Sequence, residues 1–372
     1  MKKKTIFVGL SGGVDSAVSV ALLKKDGYEV VGVFIKTWHP AFLACNEEEE
    51  RRDAMRVSAF LDIPFLTFDL EDVYKKEVAD YMISEYKKGR TPNPDVMCNK
   101  YVKFGAFLKK ALSMGADYVA TGHYATLRRD SKKSPLYPQA GSDTDSFFLS
   151  LLRGKDESKD QSYFLWTLRQ EQLKKILFPV GHLRKTEVRK LAKKFKLPVA
   201  DKKDSQGICF LGAVDLKKFL KHYLKKRKGK VFNEKGEMIG FHDGASFHTL
   251  GERHGFVITK KSPHDGPYYV VGKDIKKNIL TVSQDKNFSG KNYSTILKNY
   301  RIENTNWISG IPTQNKNYTA QIRYHGELLS CQVTCAKSNF AQIIFKKPIL
   351  VASGQSCVIY DGNICLGGGV IV

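Results

Sequence analysis

The chain has 372 residues and a mass of 42.0 kDa, room for two or three domains at about 150 residues each. Its 42% apolar and 27% charged residues describe a globular protein and exclude a disordered or collagen-like one. Lysine and arginine total 61 against 38 acids, and the net charge of +23 makes a polyanion the first partner to consider.

Seven cysteines are too few, and odd in number, for a disulfide scaffold, so a reducing, cytoplasmic setting is expected. Lys2-Lys3-Lys4 and the apolar run behind it imitate a signal peptide, but that run stops at Ser11, short of the ~7–15 residues required. No stretch approaches the ~18 apolar residues of a membrane helix.

In chain order, residues 5–10 are a short β-branched run and a predicted strand, and 17–25 read as a helix stopped by Asp26-Gly27. Residues 29–36 form a second strand, apolar through its centre as in a sheet covered on both faces. Asn46 is read as an N-cap ahead of Glu47, Glu48, Glu49 and Glu50, with Ala54, Val57 and Leu61 as the apolar stripe. A strand over 64–70, helices over 72–88 and 99–114, and a strand over 117–124 follow. This alternation predicts an α/β fold with a doubly wound parallel sheet and right-handed crossovers.

Residues 129–147 read as an irregular excursion or loose hairpin, and helices return over 170–177 and 186–195. Beyond about residue 205 the pattern changes to a basic helix over 214–226, then Gly-rich short strands. From Tyr318 the alternation is strict: Tyr318, Ala320, Ile322 and Tyr324 share one face, as do Leu329, Cys331, Val333 and Cys335 on the next strand. A small barrel or sandwich is expected there. The expected division is an α/β domain over 1–210, a small linking domain over 211–285 and a C-terminal β-barrel over 286–372.

Gly9-Leu10-Ser11-Gly12-Gly13-Val14-Asp15-Ser16 lies between the first strand and the first helix, where an α/β sheet binds ligands. Gly12 and Gly13 allow the backbone close to a phosphate, and successive N–H groups form an anion nest. Asp15 can hold Mg²⁺, and Ser11 and Ser16 offer hydroxyls. The run has neither the Gly-Lys-Ser/Thr of a Walker A loop nor a dinucleotide glycine spacing. It resembles the PP-loop of ATP pyrophosphatases, which cleave ATP to AMP and pyrophosphate and adenylate a carbonyl oxygen.

Two cysteines sit in unusual settings. The two prolines of Thr91-Pro92-Asn93-Pro94-Asp95-Val96-Met97-Cys98 are read as an extended approach, which puts Cys98 at the start of the 99–114 helix. A helix N-terminus with Lys100 nearby lowers a thiol pKa. Cys209 lies in a turn-rich loop, and its surroundings leave a functional and an inert thiol equally open. Cys331 and Cys335, four residues apart on one strand, are about 13 Å from each other, beyond disulfide reach. Cys45, Cys357 and Cys365 lack zinc-ligand spacing.

The PP-loop, Asn93-Pro94-Asp95 with Cys98, Ala120-Thr121-Gly122-His123-Tyr124, Lys159-Asp160-Gln161-Ser162-Tyr163, and Gly207-Ile208-Cys209-Phe210 occur in this order. With Gly354-Gln355 and Tyr360-Asp361-Gly362 they resemble the tRNA-specific 2-thiouridylase family over nearly the whole chain. The resemblance implies thiolation at C2 of the wobble uridine, position 34 of tRNA, with ATP and Mg²⁺. A uracil carbonyl oxygen leaves poorly, so ATP adenylates O2 before a persulfide sulfur attacks C2 and AMP departs. By resemblance Cys209 carries the persulfide, Cys98 is the second, nucleophilic cysteine, and Asp95 is an acid/base beside the base. Gly9, Leu10, Ser11, Gly12, Gly13, Val14, Asp15, Ser16, Ile35 and Gly122 would line the ATP site. Asn93, Pro94, Asp95, His123, Lys159, Asp160, Gln161, Arg323, Tyr324 and Gln355 would touch tRNA. The implied partners are the tRNAs for lysine, glutamate and glutamine, and a persulfide-donating protein, either a cysteine desulfurase or a sulfur relay protein. No membrane is implied. Ile35 replaces a frequent methionine, and His39-Pro40-Ala41-Phe42 replaces a frequent acidic run.

Lys217, Lys218, Lys221, Lys225, Lys226, Arg227, Lys228 and Lys230 fall in a stretch without an acid. Like charges at i,i+4 repel, and tRNA phosphates would relieve them without base reading. Two rival readings stay open at this level. A PP-loop enzyme adenylating a small molecule, as GMP or NAD synthetases do, would exchange pyrophosphate without RNA. A non-catalytic RNA-binding protein would fail to bind ATP.

Overall fold

The computed structural model describes residues 3–43, 46–130, 147–204, 216–260, 266–285, 295–337 and 339–372. Strands β1 (Thr5–Gly9), β2 (Glu29–Lys36), β3 (Phe65–Asp69), β4 (Tyr118–Ala120) and β7 (Ile176–Leu177) form one sheet in the order β3-β2-β1-β4-β7. Every pairing in it is parallel. Helices cover both faces, so each strand is apolar on both sides: Phe7, Val33 and Phe68 enter one core, while Ile6, Val8 and Phe34 enter the other.

The expected elements recur with instructive shifts. The strand expected over 117–124 ends at Ala120, freeing Thr121, Gly122 and His123 as a loop at the sheet's carboxyl edge. The expected 170–177 helix stops at Leu173, and Ile176–Leu177 instead pairs beside β4 as the sheet edge. The helix expected from Asn99 begins five residues earlier, at Pro94, and continues through wider turns to Ser113. Asn-Pro-Asp is a helix start here, because Asn93 caps it and Pro94 takes the first position, where no N–H is needed.

The 129–147 excursion is framed by a hairpin, β5 (Ala125–Asp130) and β6 (Phe148–Arg153), with residues 131–146 outside the described ones. β6 then pairs with β18 (Ile364–Ile371), so the first half of the chain extends the C-terminal sheet. That sheet runs through β13 (Ile296–Trp307), β16 (Phe340–Leu350), β15 (Leu329–Ala336), β14 (Asn317–Gln321), β17 (Ser356–Asp361) and β18. The β13–β18 pairing closes it into a six-stranded barrel. Tyr318, Ala320, Cys331 and Val333 fill its interior. A bulge after Val333 interrupts the strict alternation, and β14 ends at Gln321, so Tyr324 sits in the following turn rather than on the strand face.

Barrel and parallel sheet share one core. Tyr163 and Trp166 pack with Val358, Tyr360 and Val370, and Tyr163 Oη and Trp166 Nε1 donate to Ser356 at 3.0 and 3.1 Å. Between them in the chain comes a five-stranded sheet, β10 (Phe256–Ile258), β9 (Met238–His242), β8 (Gly229–Phe232), β12 (Ile279–Ser283) and β11 (Tyr269–Asp274). The helix Leu216–Tyr223 joins it to the first domain by burying Phe219 and Leu220 against Met82, Ile83 and Tyr86.

Candidate active site

The loop from Gly9 to Ser16 lies where β1 and β4 end side by side, and Gly13 caps the helix Val14–Lys25. Gly12 has φ +71°, and a Cβ there would stand 2.3 Å from the Glu50 carbonyl oxygen. A Cβ on Gly122 would stand 2.8 Å from the Ser16 nitrogen, so only glycine lets the two loops meet. Ser16 Oγ accepts from the Ser11 N–H at 3.3 Å and donates to the Gly13 carbonyl at 3.1 Å, which fixes the loop from within. The loop opens on a cavity of about 600 Å³ that Ile35 and Gly122 also line.

Asp15 is held from two sides. Its carboxylate accepts from Lys185 Nζ at 2.7 and 2.8 Å and from Tyr124 Oη at 2.8 Å. Lys185 also reaches Asp204 at 3.0 Å, and Lys159 and Arg189 pair with the same carboxylate. Burial would raise the Asp204 pKa, but hydrogen bonds from Lys159 and Lys185 outweigh it and hold the carboxyl well below its usual range. Lys185, Tyr124 and Asp204 were not singled out from sequence. One local signal was present: Lys185 opens the helix Lys185–Lys194, a position where the helix dipole disfavours a cation.

This cradle fits a nucleotide triphosphate: glycines where a Cβ would clash, a helix N-terminus, and cations beside a carboxylate. The described residues contain no cluster of three acids, histidines or cysteines able to hold a metal. Mg²⁺ would therefore depend on Asp15 together with phosphate oxygens and water, its common arrangement at phosphates.

In the segment leading to Cys98, Asn93 Oδ1 accepts from the Val96 N–H at 3.2 Å, and Asp95, one residue beyond Pro94, lines the same cavity. The barrel holds this approach: Gln355 Nε2 donates to the Thr91 carbonyl at 2.9 Å, and the Thr91 N–H to that of Ser353 at 2.8 Å. Cys98 lies one turn inside the helix rather than at its start, and it is fully buried. The expected dipole effect, which fades after the first turn, is correspondingly weaker there. Cys209 lies outside the described residues. Cys331, Cys357 and Cys365 are buried, and burial pushes each thiol up, Cys331 and Cys365 to about 12.

Of the other site residues, His123, Lys159, Gln161 and Tyr324 line the same cavity. His123 is buried between Phe104 and Phe178, with Nδ1 2.7 Å from Thr121 Oγ1. Burial, then the charge of Lys103, holds its pKa well below the ordinary value and keeps it neutral. Gln161 Oε1 accepts from the Tyr124 N–H at 3.0 Å, and Tyr324 packs on Phe164 with ring centres 4.4 Å apart. Arg323 is exposed. Asp160 is buried and braces the chain, accepting from Arg153 Nε at 2.8 Å, the Gly154 N–H at 2.9 Å, and the Ser162 N–H and hydroxyl at 3.1 Å. Asp160→Ala is expected to cost about 3 kcal/mol by stranding the Arg153 charge and two buried N–H groups. An unchanged urea midpoint would contradict this.

The basic run is less bare than its sequence implies. Lys217 pairs with Glu252, and Lys221 with Asp243 at 3.3 Å, so acids from the linking sheet relieve part of the expected repulsion. Lys225, Lys226, Arg227, Lys228 and Lys230 are exposed and make no salt bridge among the described residues.

Family models match consecutive stretches of the chain: the tRNA methyl transferase HUP domain over residues 4–213, the tRNA methyl transferase PRC-barrel domain over 217–284, and the aminomethyltransferase beta-barrel domain over 297–371. The tRNA-specific 2-thiouridylase MnmA of Listeria monocytogenes serovar 1/2a is 43% identical over 98% of this chain and 94% of its own. MnmA 1 of Geobacillus kaustophilus is 43% identical over 100% and 96%, and the Nitrosomonas europaea protein 41% over 100% and 99%. Among solved structures, the U34-tRNA thiolase NcsA of Methanococcus maripaludis is 16% identical over 52% of this chain and 57% of its own, with a TM-score of 0.33. The fold and its phosphate loop are thus joined to full-length similarity across three successive domains, and the chain belongs to the tRNA-specific 2-thiouridylase family.

Proposed function

We infer that this chain is an ATP-dependent tRNA uridine 2-sulfurtransferase acting at the wobble position. The observation that carries this reading is one cavity lined both by the phosphate loop with Asp15 and by Asp95, with Cys98 on the same helix as Asp95. Activation of a uracil oxygen by ATP and its replacement by sulfur need those groups within reach of one base.

The 9–16 loop, Ile35 and Gly122 hold ATP, and Lys185 neutralises phosphate charge as it now neutralises Asp15. Mg²⁺ on Asp15 would add charge stabilisation at the phosphates. Uracil O2 attacks the α-phosphorus, pyrophosphate leaves, and Asp95 manages the proton of the ring. A persulfide on Cys209, loaded by a desulfurase or relay protein, delivers sulfur to C2 and AMP departs. Cys98 attacks the inner sulfur of Cys209 to complete the transfer. Because Cys98 is buried, this step requires the surroundings of the first helical turns to open. Asn93, Pro94, His123, Lys159, Asp160, Gln161, Arg323, Tyr324 and Gln355 form the tRNA contact set, with Asp160 acting through the segment it braces. The substrates are the tRNAs for lysine, glutamate and glutamine, and the setting is the cytoplasm. We retain the division at about residues 210 and 285.

Release of AMP from ATP that depends on added tRNA tests the reading, and release without RNA opposes it. The exposed lysines give a separate expectation. Neutralising phosphates frees counterions, so Lys225, Lys226 and Lys228 changed together to glutamate should weaken tRNA binding and flatten its dependence on log salt by about two to three units. ATP affinity should hold. Equal slopes in variant and parent would return these lysines to a merely solvated surface.

A further inference from the structure

Asp95, Asn99 and Lys103 recur every four residues along one helix and all line the cavity. Asn99 is 3% exposed. Its Nδ2 donates to the Phe164 carbonyl at 3.5 Å, while its Oδ1, equally buried, finds no hydrogen-bond partner. The orientation of the amide follows from this contact, since a carbonyl can only accept. Buried acceptors left open are rare in native proteins, and one in a cavity wall marks a place for a donor.

The neighbouring wall says what kind of ligand brings that donor. Phe164, whose backbone holds the amide, packs its ring on Tyr324 at 4.4 Å, and both rings line the cavity. Aromatic faces beside a convergent amide are the means by which a protein holds a base extruded from its stack. On the pairing edge of uracil, N3–H is the only donor, flanked by the O2 and O4 acceptors. Cytosine presents a bare N3 acceptor at that point.

We propose that Asn99 is a specificity residue for the target base: as the base binds, Oδ1 accepts from uracil N3–H, the proton that Asp95 takes later as O2 is adenylated, and the second Nδ2 proton donates to an adjoining carbonyl. The inference rests on the functional reading above. It places the choice of uracil over cytosine in an amide, one helical turn from the carboxylate of Asp95.

The test pairs enzyme and substrate changes. The kcat/KM for AMP release is measured for parent and Asn99→Ala on tRNA carrying uridine, cytidine or N3-methyluridine at position 34. ATP affinity and thermal midpoint are measured in parallel. The parent should prefer uridine strongly over both alternatives. In Asn99→Ala, uridine should fall about ten- to a hundredfold, while N3-methyluridine, which has no proton to offer, changes little. The preference therefore shrinks. Asn99→Leu, closer in volume, should behave alike and guards against a packing defect. An unchanged preference ratio, or a loss of ATP affinity in place of base preference, would overturn the proposal, the latter assigning the amide to adenine. No AMP release by the parent on uridine tRNA would instead remove the functional reading itself, and the inference with it.

Discussion

Replacing Asp15 with alanine is expected to lower tRNA-dependent AMP release about a thousandfold while the protein stays folded. The carboxylate stands at the N-terminus of the first helix, 2.7 Å from Lys185 and 2.8 Å from Tyr124, at the mouth of the glycine cradle. Without it, no acid of the loop remains to meet a metal-bound phosphate. The fold should survive because the loop is shaped by Gly12, Gly122 and the Ser11–Ser16 contact, none of which uses the Asp15 carboxylate, while alanine keeps the backbone and Cβ that Gly122 packs on. Lys185 keeps Asp204 at 3.0 Å, so no charge is stranded, and a stability change of about 1 kcal/mol or less follows. Calorimetry and AMP assays together check this. Parental AMP release would remove Asp15 from the phosphate site.

The second large effect concerns sulfur. Cys98→Ser is expected to reduce 2-thiouridine formation about a thousandfold or more and to spare adenylation far better, since a serine hydroxyl cannot replace a thiolate in exchange with a persulfide. The substitution is nearly isosteric at a fully buried position, so the helix from Pro94 should persist. Cys209→Ser should lose both persulfide loading and product. Peptide mapping after one turnover without reductant should reveal a Cys98–Cys209 bridge in the parent. Thiolation by Cys98→Ser at the parental rate would end the two-cysteine scheme.

The parallel sheet was legible because its strands are apolar on both sides and the helix Glu47–Phe60 carries a single apolar stripe, patterns that survive without tertiary context. Boundaries were less so. The helix start at Asn93 was obscured by reading two prolines as breakers, though Pro94 follows a capping residue and is favoured at the first position. The β15 bulge and the Tyr324 turn arise from barrel closure, which no local pattern announces. For the site, Asp15 and Gly122 stood in a recognisable string. Lys185, Tyr124 and Asp204 come from segments far apart in the chain and meet only in the fold. Asn99 was hidden for another reason: an open acceptor is a property of what surrounds a side chain.

The central claim is that one cavity activates uracil with ATP and replaces its oxygen with sulfur. Mass spectrometry of nucleosides digested from tRNA after incubation with the enzyme, ATP, Mg²⁺ and a persulfide donor tests it most directly. The account predicts 2-thiouridine at position 34, dependent on both ATP and the sulfur donor, with AMP formed in step. Unmodified uridine alongside continued ATP cleavage would contradict it.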